Sequence, residues 1–234
     1  MDKHLQQQYL QAMGIQAWSL RDQESPVVES TRLTEDVFQE AIEKDVTTLD
    51  WGSLESQVSQ CSLCELQQSR TQTVFGIGSQ SADWLIIGEA PGKEEDLQGE
   101  PFVGRAGQLL NAMLLAIGLR REQVYIANIL KCRPPNNRDP RPDEVVQCEP
   151  YLMQQIALLQ PKIILAIGRI AAQNLLKTDI PIGKLRGQVH NLGDTGIPVI
   201  ATYHPAYLLR SPQEKSKAWQ DLQLAMQTIK GNQK

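Results

Sequence analysis

The chain has 234 residues, 41% hydrophobic and 21% charged, with a formal net charge of −4, enough for one full core plus extensions. It does not open on a basic stretch followed by an apolar one, and its longest apolar runs, such as IILAI, fall far short of the roughly 20 residues that cross a bilayer. These features predict a cytoplasmic protein with no membrane partner. The net charge conceals an asymmetry: residues 1–60 hold 11 acids against 4 bases, while residues 61–234 hold 16 against 19. A mildly basic body with Lys131, Arg133, Arg138 and Arg141 clustered suits a phosphate backbone and equally suits a solvated charged face.

In chain order, LQQQYLQAMGIQAWSL (residues 5–20) sets Leu5, Tyr9 and Met13 at helical spacing before Gly14, then Ile15, Trp18 and Leu20, a short amphipathic element. From Arg21 to about Asp50 the composition is acidic and polar, as in a linker with some helical tendency in TEDVFQEAIEK. The expected organisation is a peptide over 1–22, an acidic linker over 23–50 and a folded domain over 51–230.

From Asp83 the pattern is regular. DWLIIG, VYIANIL, KIILAIG and PVIATYH read as strands; AGQLLNAMLLAIGL, PDEVVQCEPYLMQQIALLQ, RIAAQNLL and SPQEKSKAWQDLQLAMQTI read as helices. Four apolar strands alternating with helices predict an α/β fold: a three-layer α/β/α arrangement around a four-stranded parallel sheet, with an N-terminal extension. In such sheets the ligand crevice lies beyond the carboxyl ends of the strands. Gly88, Glu89 and Ala90, then Asn128, Gly168 and His204, all fall there.

Four cysteines, Cys61, Cys64, Cys132 and Cys148, form C-x2-C and C-x15-C pairs with none left over. A reducing compartment disfavours disulfides, which leaves free thiols, zinc or an iron–sulfur cluster. Metal is the preferred reading, and four thiolates suit zinc and [4Fe–4S] alike. The glycine-rich GEAPGKEEDLQGEPFVGRAGQLL is not a phosphate loop, because it lacks G-x-x-x-x-G-K-[ST].

GEAPG with Phe102 following, NILKCRPPNNR and HPAYLLR, in this order and with the four cysteines, closely resemble the family 4 uracil-DNA glycosylases, the iron–sulfur members of that superfamily. The resemblance covers roughly residues 50–230. It implies a monofunctional glycosylase that hydrolyses the N-glycosidic bond of uracil in DNA, with a [4Fe–4S] cofactor on Cys61, Cys64, Cys132 and Cys148 and uracil-containing DNA as partner. It assigns base reading to Asn128, stacking to Phe102, and donation to uracil O2 to His204, with Gly88 and Ala90 lining the substrate. Glu89 is then expected to orient water, since Ala90 stands where other uracil glycosylase families often carry Asp or Asn. Leu208 or Leu209 would be a wedge in the minor groove, with Arg210, Arg133 and Arg138 on phosphate. GRAGQLL lacks the basic insertion of a related covalent uracil-binding protein, so turnover is expected.

YLQAMGIQAWSLR is similar to the N-terminal peptide of the psi subunit of the bacterial clamp loader, which implies that residues 5–21 dock on the loader's ATPase collar. Two other readings remain open here. One is a uracil-DNA-binding adaptor at the replisome with little turnover; the other is a zinc-bearing nucleotide-binding domain.

Overall fold

The computed structural model describes residues 50–231. The expected partner-binding peptide and, up to residue 49, the acidic linker lie outside the described residues.

Six strands form one sheet: β1 (Ile77–Gly78), β2 (Trp84–Gly88), β3 (Tyr125–Asn128), β4 (Ile163–Ile167), β5 (Val189–Asn191) and β6 (Pro198–Thr202). Their order is β1-β3-β2-β4-β6-β5. The four central strands are mutually parallel, as expected from their apolar runs. Each end of the sheet gains a short antiparallel strand, so the expected four strands become six.

Helices α1 (Trp51–Ser59), α2 (Lys93–Gln98), α3 (Arg105–Ala116), α4 (Pro142–Leu159), α5 (Arg169–Leu176), α6 (Ile182–Leu185), α7 (Pro205–Arg210) and α8 (Lys215–Gly231) complete the domain. Alternation along the strands builds the layers, because successive side chains leave a strand on opposite faces. Leu85, Ile87, Ala127, Ile164, Ala166 and Ala201 pack with α4, α5 and α6. Trp84, Ile86, Ile126, Leu165, Ile167 and Ile200 pack with α3, α7 and α8. Nearly all are fully buried, so a one-residue register slip would exchange the two cores.

Two polar anchors hold elements that matter for the site. The Asp50 carboxylate caps α1 by accepting the Ser53 amide at 2.8 Å, and Trp51 packs edge-to-face with Phe75 and at a tilt on Tyr125, with ring centroids 6.1 and 5.0 Å apart. This fixes the helix that leads into Cys61. On the other side, the buried Asp221 of α8 accepts from the Arg186 guanidinium (2.9 Å), the Gly187 amide (3.0 Å) and the Thr202 hydroxyl (2.9 Å). Burial pushes the Asp221 carboxyl up, while Thr202 and Arg186 hold it down. Since Thr202 ends β6 two residues before His204, Asp221→Ala should destabilise the fold by about 3–5 kcal/mol by orphaning buried donors. Chemical denaturation of both proteins at pH 7 measures this.

Candidate active site

The carboxyl ends of β2, β3 and β6 meet at a cavity of about 480 Å³. Glu89, Ala90, Phe102, Asn128, His204 and Arg210 line it, so six of the residues singled out from the sequence converge. Glu95, Asn137, Asp139 and Tyr207 join them.

Asn128 ends β3 opposite Gly88 of β2. It is 2% exposed, and its side-chain Oδ1 is buried without a hydrogen-bond partner. A buried acceptor left unmade costs of the order of 1–3 kcal/mol, so this oxygen marks a place prepared for a ligand donor. Gly88 makes the arrangement sterically feasible. A Cβ there would stand 2.4 Å from Asn128 Oδ1 and 2.7 Å from the Phe102 ring.

His204 is the N-cap of α7: its Nδ1 accepts the Ala206 amide at 3.1 Å, which places the ring proton on Nε2. Burial, with Arg210 adding to it and Glu95 opposing, lowers the His204 pKa to about 4. The ring is therefore a neutral donor at physiological pH, and it stacks on Phe102 with centroids 5.6 Å apart.

Glu89 follows β2. Burial, then repulsion from Asp139, raises its pKa to about 7, with Arg169 opposing. Arg169 is itself paired with Asp139 at 2.5 Å. Glu95 of α2 accepts the Val103 and Gly104 amides at 3.0 and 3.3 Å, holding the loop that carries Phe102.

Three of the DNA-facing expectations need correction. Leu208 is 1% exposed and belongs to the core beneath α7, because the first turn of so short a helix must bury one apolar face; Leu209 and Tyr207 are the exposed pair. Arg138 is engaged by the fully buried Glu144 through two hydrogen bonds of 2.9 and 2.5 Å, and Arg138 holds the Glu144 carboxyl below its usual range. Glu144 also accepts the Arg141 amide at the start of α4, so Arg138 serves the fold of this loop. Lys131 is not part of a surface cluster: it is 1% exposed, and its ammonium donates to the Asn128 carbonyl at 3.0 Å and to Gln155 Oε1 at 2.6 Å. Arg133 donates to Asn137 Oδ1 at 2.8 Å, and Arg210 is exposed at the cavity rim.

The four cysteines gather behind Asn128. Cys132, Cys64 and Cys61 act on one another electrostatically, as do Cys148, Cys132 and Cys61. Cys132 Sγ accepts from Arg70 at 3.1 Å and Cys148 Sγ from the Lys131 amide at 3.2 Å. Burial raises all three of Cys64, Cys132 and Cys148, the last to about 12. Among the described residues no three His, Cys, Asp or Glu side chains stand close enough to hold a single ion. Four thiols, Cys132 buried and the other three partly so, supplied with N–H donors and the cations of Arg70 and Lys131, are nonetheless a donor set matched to anionic sulfur.

Sequence reasoning missed Glu95, Asp139 and the true place of Lys131. Glu95 and Asp139 were visible only as members of charged runs. The one available signal for Lys131 was its position between Asn128 and Cys132.

Comparison with known proteins matches this geometry. Residues 75–223 match the uracil DNA glycosylase superfamily. The chain is 48% identical over 163 residues to the type-4 uracil-DNA glycosylase of Archaeoglobus fulgidus, spanning 67% of this chain and 82% of that protein. It is 42% identical over 178 residues to the type-4 enzyme of Thermotoga maritima, spanning 74% and 92%. A type-5 uracil-DNA glycosylase of Pyrobaculum aerophilum is 30% identical over 148 residues, spanning 56% and 64%. With a parallel-sheet crevice, an unmated asparagine oxygen at its floor and these relatives, the chain belongs to the uracil DNA glycosylase superfamily, on the side of its type-4 members.

Proposed function

We propose that this protein hydrolyses the bond between uracil N1 and deoxyribose C1′ in DNA, releasing uracil and leaving an abasic site. The observation that carries the reading is the buried, partnerless Asn128 Oδ1. Uracil presents an N3–H donor beside its O4 acceptor, and the Asn128 amide offers the complementary acceptor and donor. Phe102 stacks on the flipped ring. As the bond breaks, the electron pair passes to the base, with charge on O2 and N1, and the sugar becomes oxocarbenium-like. The Nε2–H of His204 donates to O2, where a fixed neutral donor stabilises developing charge without transferring a proton. Water then adds to C1′, its proton leaving to solvent through Glu89, which orients it. Ala90 takes no part in proton transfer and gives room to the base.

On the DNA side, Leu209 is the wedge candidate and Arg210 reaches a flanking phosphate. Cys61, Cys64, Cys132 and Cys148 would hold the [4Fe–4S] cluster that the family resemblance implies. Bound there, it would tie together the segment after α1, the loop after β3 and α4, while the bond-breaking chemistry belongs to Asn128, His204 and Glu89. Residues 5–21 serve as a peptide for the clamp-loader collar and residues 23–50 as its tether. Capture of clamp loader by a peptide of residues 1–25, lost on Trp18→Ala, tests this.

Incubating the protein with a single-uracil oligonucleotide should release free uracil and leave an alkali-labile site, while a thymine oligonucleotide stays intact. Tight binding with no released base would sink the enzymatic reading in favour of an adaptor.

Glu89 adds a pH prediction. Its pKa is raised from 4.5 to about 7, so the folded chain binds this proton more tightly than the unfolded one. The associated stability is full below about pH 4.5 and is lost as pH rises through 7. Glu89→Gln should therefore raise Tm at pH 8 and leave it unchanged at pH 4.5. It should also abolish the rise of single-turnover rate through pH 7. A full single-turnover rate in this variant would remove Glu89 from water orientation.

A further inference from the structure

Phe102 holds a backbone conformation that large side chains rarely adopt, with φ of +56°. Such a strained residue persists only when its surroundings over-determine it. The surroundings here are specific. The Arg121 guanidinium donates to the Phe102 carbonyl at 3.3 Å and to the Pro101 carbonyl, and it also reaches Asn111 Oδ1 of α3 at 3.4 Å. From the other side, Glu95 accepts the two amides that follow Phe102. Gly107 leaves the space, since a Cβ there would lie 1.7 Å from the Phe102 carbonyl oxygen. Arg121 thus spends its donors on backbone carbonyls and one amide, an unusual use for a half-buried guanidinium, and burial lowers its pKa.

We propose that Arg121 is a positioning residue for base recognition: by gripping the Pro101 and Phe102 carbonyls it keeps the Phe102 ring across the uracil pocket, against Gly88 and His204. The chain makes this coupling direct. Arg121 opens the turn Arg121–Gln123 that leads straight into β3, so one segment sets both the stacking ring and, at the far end of the strand, the base-reading Asn128. The guanidinium holds the carbonyl side of the loop while Glu95 holds its amide side, and neither touches the base through this loop contact. An arginine suits the task because its planar fork reaches two successive carbonyls and Asn111 at once; a lysine would reach one.

This inference rests on the stacking role given to Phe102, and its test separates the two. Steady-state kinetics on a uracil oligonucleotide, with full-length protein, compare Phe102→Ala, Arg121→Lys, Arg121→Met and the double variant Phe102→Ala/Arg121→Met. Base–aromatic stacking predicts that Phe102→Ala raises KM roughly tenfold. Arg121→Met is expected to raise KM about fivefold or more, with a smaller change in kcat, and to add little to Phe102→Ala. Arg121→Lys, which keeps charge and bulk, covers the case in which Arg121→Met does not fold, and it should fall between the wild type and that variant. A further variant, Arg121→Ala, provides a rescue test: free guanidinium ion at non-denaturing concentration should lower its KM and leave that of Phe102→Ala unchanged, and failure to do so overturns the inference. Wild-type KM in Arg121→Lys and Arg121→Met, or full additivity with Phe102→Ala, overturns the inference while the stacking role stands. Wild-type KM in Phe102→Ala overturns the stacking role itself.

Discussion

Replacing Asn128 by Ala is expected to cut kcat/KM on uracil-containing DNA by roughly 10²–10³-fold with little loss of stability. The stability forecast follows from Oδ1, which has no partner in the free protein; deleting it removes an unmet acceptor and opens only a small void beside Gly88 and Phe102. The activity forecast follows from the same atom, because the variant can no longer pair with N3–H and O4 of the flipped base. The base then has shape and stacking to hold it, and these accept cytosine about as well as uracil. His204→Ala should differ in kind. It removes the donor to O2, where charge appears only as the bond breaks, so kcat should fall by roughly 10²–10³-fold with KM nearly constant. Single-turnover rates and KM for both variants, with a cytosine oligonucleotide as the competitor, read the distinction. Equal losses confined to KM in both would mean that the pocket only binds.

The sequence made the centre of the fold legible because the four parallel strands are buried on both faces and read as unbroken apolar runs. It could not show β1 and β5. They are two and three residues long, too short for a period, and their pairing is set by the strands beside them. The base-facing residues were legible because they end strands, where topology gathers them. The basic loop was misread for a physical reason: charge in a sequence carries no sign of its depth. Lys131 looks like its neighbours Arg133 and Arg138, yet it is sealed beneath Asn128 with its ammonium on a carbonyl, and Arg138 is occupied by Glu144 six residues on. Leu208 and Leu209 are likewise indistinguishable until α7 assigns one to the core and one to the surface. Arg121 carried no motif at all, because its work is done on backbone oxygens that any sequence supplies.

Cys148→Ser should damage more than the cysteine site. Its sulfur accepts the Lys131 amide, and the Lys131 ammonium holds the Asn128 carbonyl. Gln155, which also accepts from Lys131, donates to the Phe75 carbonyl at 3.0 Å and to the Tyr125 hydroxyl at 3.3 Å. A disturbance at Cys148 thus reaches Asn128 through Lys131 and reaches α1 through three residues: Lys131, Gln155 and the Phe75 or Tyr125 against which Trp51 packs. With one of the four proposed ligand thiols removed, the binding energy that a bound cluster would lend to folding is lost, so Tm should fall sharply, and kcat/KM of the surviving folded fraction should fall roughly 10–100-fold, as when a residue that orients a ligand is deleted. Lys131→Met separates the two effects. It keeps all four thiols but leaves the Asn128 carbonyl and Gln155 without their buried donor, at a cost of about 1–3 kcal/mol, and should lower kcat/KM while iron and acid-labile sulfide content stay at the wild-type level. Arg138→Ala supplies the contrast: it removes two hydrogen bonds from the buried Glu144 carboxylate, which keeps the Arg141 amide and the Arg141 guanidinium, and it loosens the start of α4, so its effect should be on stability, with the salt dependence of DNA binding unchanged. A Cys148→Ser protein with wild-type kcat/KM, or a Lys131→Met protein that loses iron, would break the proposed link between the cysteine set and the base reader.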